Sequence, residues 1–173
     1  MNAAGGEEAE EAEERSLLPI LMTEEAIYGV ILVSGMIVVS GGSGTSVAIL
    51  VTVVVTVLVF YAAHVYAGAV ARLAESRGRA SPASSLAFAA RESSGLLVAS
   101  VVPVVILFLG TSHVIPDIVA NWAALIVNTV ILAVLGWIAV GRWRPRFTAR
   151  LLGALIAASF GVILILLKAF VTH

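Results

Sequence analysis

No aspartate, glutamate, lysine or arginine occurs between Glu25 and Arg72, between Glu92 and Asp117, between Asp117 and Arg142, or between Arg150 and Lys168. These long uncharged stretches constrain the fold more than any other feature of the chain. A helix needs about 20 apolar residues to cross the roughly 30 Å hydrocarbon core of a bilayer. A soluble domain of 173 residues, 60% hydrophobic and only 12% charged, could not hide that much apolar surface in one small core. The expected fold is all-α: a polytopic membrane helix bundle of about five transmembrane helices.

Turn chemistry divides the chain. Residues 1–20 open with a run holding six of the eleven acids and no apolar face. They read as a disordered acidic cytoplasmic tail, ahead of a transmembrane domain over 21–173. Span 1 is expected over about 24–40, stopped by Gly41-Gly42-Ser43-Gly44. Span 2, about 45–77, is longer than the hydrocarbon core and ends at Arg77-Gly78-Arg79 before Ser81-Pro82. Residues 83–93 read either as a short interfacial helix or as the first turns of span 3. Span 3 itself is expected over about 94–109, with Pro103 kinking its middle. Pro116 suits the opening of span 4, about 116–140, and span 5 covers about 151–171.

Eight of the ten basic residues fall in two stretches, 72–91 and 142–150. The first lies between spans 2 and 3, the second between spans 4 and 5. The other two loops are almost uncharged, with Asp117 alone in the second. The positive-inside rule puts both arginine loops in the cytoplasm. Five spans put those loops on one side, so the N-terminus is expected inside and the C-terminus outside. The basic residues make no excess of the kind that binds nucleic acid. Cysteine is absent, which excludes disulfides and thiolate chemistry. The N-terminus has no positive region leading into an apolar run, so it does not read as a cleaved signal peptide.

Polar residues at membrane depth are costly and point to function. Glu24 and Glu25 begin span 1, and His64 lies near the cytoplasmic end of span 2. Folding spans 1 and 2 about the 41–44 turn brings Glu24 opposite Ala63 and His64. Arg91 and Glu92 open span 3 at that end, where Tyr28, Tyr61 and Tyr66 also fall. A carboxylate beside a histidine can relay protons or hold a divalent cation. The competing reading is a set of interfacial residues kept there for solvation, with the tyrosines as an aromatic belt. Convergence or splaying of these groups separates the two. Asn121 and Asn128, seven apart on one helical face, read as interhelical hydrogen-bonding groups or as pathway lining. Trp122, Trp137 and Trp143 read as belt residues, and Lys168 as snorkelling to the interface.

Small residues at four-residue spacing mark close helix packing: Gly153, Ala157 and Gly161 in span 5, and Ala63, Ala67 and Ala71 in span 2. Within-chain packing and a homo-oligomer interface through spans 1 and 2 are the alternatives. No metalloprotease motif, nucleophile elbow, P-loop or dinucleotide fingerprint occurs, so an enzyme is not expected.

Four segments carry a family resemblance: YGVILVSGMIVVSG in span 1, VFYAAHVYAGAVARLAES in span 2, SPASSLAFAARESSGLLVASVVP leading into span 3, and RFTARLLGALIAASFGVILIL in span 5. Across about 22–171 the layout resembles the vacuolar iron transporter family. That resemblance implies five spans, a cytoplasmic N-terminus, a dimer through the first helices and metal transport. Tyr28 stands where the family has an aspartate before the glycine. Tyr61 and Val65 stand where it has a methionine and a glutamate, and its acidic cytoplasmic insertion between helices two and three is missing. Glu24, Glu25 and His64 are then the expected metal-binding residues at shifted positions. Tyr28, Tyr61, Arg91, Glu92, Asn121 and Asn128 are the expected pathway or gate. The expected function is transporter-like movement of a divalent metal ion, as substrate and not cofactor, with proton coupling. The alternative is a non-transporting scaffold or partner subunit that keeps the fold. The expected partners are the lipid bilayer and further copies of the chain, and the expected location is a bacterial cytoplasmic membrane.

Overall fold

A computed structural model describes residues 23–40, 45–77, 79–143 and 146–171. Expectations about the acidic tail, the 41–44 turn, Gly78, Arg144-Pro145 and His173 fall outside the described residues. Within them the chain is helical, with no strand.

The first three helices begin where a side chain takes up a free backbone donor. In α1, Glu24–Ser40, the Ala26 N–H donates to Thr23 Oγ1 at 3.2 Å. Thr45 does the same for Ala48 at the start of α2, Ser46–Ser76. That helix ends at Arg77, whose left-handed φ of 49° breaks the repeat. Ser81 caps α3, Pro82–Glu92, by accepting from the Ser84 N–H at 3.2 Å, and Pro82 needs no donor at the first helical position. After a one-residue break at Ser93, α4 runs Ser94–Thr111 with Pro103 buried inside it. The Pro116 carbonyl accepts from the Ala120 N–H at 3.0 Å as α5, Asp117–Trp143, begins. Finally, α6 runs Phe147–Val171. Both α5 and α6 reach further into the arginine loop than the hydrophobicity pattern suggests, because leaving the apolar region does not interrupt backbone hydrogen bonding.

Two antiparallel hairpins organise the bundle. In the first, α2 runs the length of α3 and α4 together. Gly68 packs on Ala89, the Tyr61 hydroxyl donates to the Ala90 carbonyl at 3.2 Å, and Arg72 lies 4.0 Å over the Phe88 ring. Ser46 meets Gly110 at the opposite end. Of the two readings of 83–93, the structure favours the first turns of span 3: α3 stays on α2 and leads directly into α4.

In the second hairpin, Gly136 faces Gly153 and Ala157, and Gly161 faces Thr129. The small-residue stripe of span 5 is thus consumed within the chain, whereas Ala63, Ala67 and Ala71 of α2 remain exposed.

Helix α1 sits between the hairpins, packing on α2, α4, α5 and α6. Val33, Ile37, Ile49, Val53, Leu96, Leu107 and Leu125 form the main core. A second cluster joins Ala26 and Val30 to Ala99 and Leu132. These contacts run α1 and α5 antiparallel, so both arginine clusters lie at the Glu24 end of the bundle.

Outside this core the surface is apolar: Val51, Val55, Leu58, Val105, Ile126, Leu155 and Ile163 are all more than half exposed. Water would penalise such a surface, and lipid does not. Among the described residues four helical stretches are long and apolar enough to cross a membrane: Ser46–Ser76, Pro82–Thr111, Asp117–Trp143 and Phe147–Phe170. The chain has the form of a multi-pass membrane helix bundle. At 17 residues α1 is about 25 Å long, short of a full hydrocarbon core.

Lys168 differs from expectation. It is only 3% exposed and lies 5.3 Å over the Trp122 ring, so it packs against α5 and does not snorkel outward.

Candidate functional site

The polar groups at the Glu24 end converge. Glu25 from α1, His64 from α2 and Glu92 from α3 line one cleft of about 370 Å³, with Ala63, Ala67, Gly68, Ala89 and Ser93. An adjoining cleft of about 190 Å³ is lined by Glu24, Glu25, Tyr28 and His64. Small residues make the space: a side chain on Gly68 would press on Ala89, 3.2 Å from where its Cβ would lie. Tyr28 packs between Phe60 and His64, ring centres 6.2 and 5.9 Å away, close to the register expected from folding spans 1 and 2 together.

His64 is held in place. Its Nδ1–H donates to the Phe60 carbonyl at 2.9 Å, because a carbonyl can only accept. In the neutral ring this bond sets the tautomer, with the proton on Nδ1 and the lone pair on Nε2. The rings of Phe60 and Tyr28 flank the imidazole, with centroids 6.3 and 5.9 Å from it. Phe60 was not legible as part of this group, since a phenylalanine in an apolar span carries no signal of its own.

Two expected residues act elsewhere. Arg91 is exposed and does not line either cleft, although its neighbour Glu92 does. Tyr61 lines neither cleft; its hydroxyl ties α2 to α3. Nor do Glu24, Glu25 and His64 close into a metal site: among the described residues no group of three histidine, aspartate or glutamate side chains is placed to hold a metal ion. The two glutamates are neighbours on α1, and helical geometry turns adjacent side chains about 100° apart.

The asparagines lie deep in the bundle. Asn128 is fully buried, and its Nδ2 donates to Ser34 Oγ at 2.9 Å while that hydroxyl donates to the Val30 carbonyl at 2.8 Å. This favours the interhelical hydrogen-bond reading, linking α5 to α1. Asn121 is 6% exposed, and its Oδ1, like that of Asn128, has no partner. Ser34 had no sequence signal, because its partner is 94 residues away.

Compared with protein-family models, curated proteins and solved structures, the chain matches none.

Proposed function

We propose that this is a transporter-like membrane protein that handles a divalent cation, with proton coupling through His64, at the Glu25–His64–Glu92 cleft. The observation that carries this is convergence: three separate helices each contribute one ionisable side chain to the same space. Two carboxylates and an imidazole supply the oxygen and nitrogen donors that a divalent cation takes. The cleft holds on the order of ten waters at roughly 30 Å³ each. A hydrated cation fits this space better than one stripped for direct ligation, in keeping with the absence of a three-ligand cluster among the described residues.

The resemblance to vacuolar iron transporters supports the same class. In this reading α1 is the fifth span, the arginine end is cytoplasmic, the C-terminus is outside, and the membrane is a bacterial cytoplasmic one. The chain is a homodimer or higher homo-oligomer that meets its copies through α1 and α2.

A second reading has its own observation. Beyond the cleft, Ala26, Val30, Val33, Ile37 and Leu96 are fully buried and close the bundle. A scaffold or partner subunit needs no path, and this packing favours it. Flux of iron, manganese and zinc into liposomes holding the purified protein, with and without a pH gradient, separates the two. A transporter gives flux that Glu25→Gln, His64→Gln and Glu92→Gln together abolish. Absence of flux from a well-folded wild type, or flux unchanged in the triple variant, rejects the proposal.

A further inference from the structure

The corner between α5 and α6 holds a second concentration of charge, separate from the cleft. Arg142 and Arg146 are exposed, and Arg150 lies one turn into α6. No aspartate or glutamate occurs anywhere from 118 to 173, and Asp117 lies at the far end of α5, so this corner has no counter-charge within its own hairpin. The other arginine cluster differs, since Arg72, Arg77, Arg79 and Arg91 share their segment with Glu75 and Glu92.

Arg150 is also positioned. Its guanidinium lies over Gly141, where even a methyl group would stand 2.7 Å from Nε, and its Cζ is 6.0 Å from the Trp137 ring. Trp137 in turn packs edge-on against Phe147 at 5.4 Å. Arg150 Nε is buried without an acceptor. A buried charged donor lacking its acceptor is costly, and an anion at this corner would satisfy the group.

The surroundings identify the source of that anion. Trp143 is 75% exposed and Phe147 67%, as suits side chains at a membrane–water interface. Directly beyond, Leu151, Leu152, Leu155 and Ile156 expose a continuous apolar strip along α6. A free phosphate would use the arginines alone, whereas the strip places bilayer lipid beside them. A lipid with a phosphate head uses both.

We propose that the α5–α6 corner binds an anionic phospholipid, its head on Arg142, Arg146 and Arg150 and its acyl chains along α6. Basic pockets between membrane helices recognise such head groups, each basic residue contributing about fivefold in affinity. This inference does not depend on cation transport.

The test is binding of dioctanoyl phosphatidylglycerol to the purified full chain in a neutral detergent, read by tryptophan fluorescence. Dioctanoyl phosphatidylcholine and inorganic phosphate are the comparison ligands. The expected result is saturable binding of the anionic lipid alone. Arg142→Gln with Arg146→Gln should weaken it about 25-fold, and Arg77→Gln with Arg79→Gln should leave it unchanged. The first pair is exposed, so an unaltered melting temperature and elution volume would show that folding is intact. Three results overturn the proposal: equal binding of phosphatidylcholine, equal binding of phosphate alone, or equal losses in the two double variants. The last would reduce the site to general attraction of arginines to an anionic surface.

Discussion

Replacing one glycine by alanine should have opposite effects at two places in this bundle. At Gly136 an added Cβ would stand 2.7 Å from the Ala157 Cβ and closer still to the Gly153 carbonyl. Carbon atoms pack at about 3.5–4.0 Å, so α5 and α6 would have to separate by about 1 Å. Overpacking of this kind costs about 1–3 kcal/mol. Alanine's better helix propensity returns about 0.8–1 kcal/mol. The net expectation for Gly136→Ala is a loss of up to about 2 kcal/mol, the difference of those two terms. At Gly35 an added Cβ meets nothing within 4 Å. Only the propensity term remains there, and Gly35→Ala should gain up to about 1 kcal/mol. Titration of each purified variant with sodium dodecyl sulfate, following helical structure by circular dichroism, measures both changes against wild type. If Gly136→Ala proves as stable as Gly35→Ala, the tight α5–α6 contact is wrong.

Further substitutions test individual contacts. Asn128→Ala removes the α5–α1 hydrogen bond and should cost about 0.6–1.7 kcal/mol in the same titration; no loss would mean the Ser34 contact is not formed. Tyr61→Phe should cost about 0.5–1.5 kcal/mol through loss of the bond to the Ala90 carbonyl, and faster proteolysis between α2 and α3 would locate the loosening there. Arg72→Gln removes the charge stacked on Phe88 and should cost about 0.5–1 kcal/mol. A Phe88→Leu background should abolish that effect, and an undiminished cost there would show that the stacking is not its source.

The convergence of Glu25 and His64 was legible because it depends only on two antiparallel helices joined by a short turn, a local relation that spacing predicts. Glu92 reached the cleft for the same reason, standing where the next helix begins at that end. Arg91 did not follow its neighbour, since a helix turns each successive side chain about 100° and one of an adjacent pair faces away. Which of the two faces the cleft depends on the rotation of α3 against α2, fixed by Gly68, Ala89 and Arg72 packing on Phe88.

The sequence by itself determined the class of this protein. Uncharged stretches longer than a bilayer is thick force helices into lipid, and glycine, proline and serine mark their ends wherever the chain lies. It also determined that the two arginine clusters share one end, because hairpin connectivity leaves no other arrangement. Only the tertiary structure decided which small residues are used. Gly153, Ala157 and Gly161 close against α5, while Ala63, Ala67 and Ala71 remain open, although the spacing of the two sets is the same. It also decided that Lys168 is buried, and that Asn128 meets a serine 94 residues away. In a membrane bundle nearly every helical face is apolar, so hydrophobicity no longer distinguishes inside from outside. Shape complementarity between particular faces then sets the arrangement, and it exists only once the helices are together.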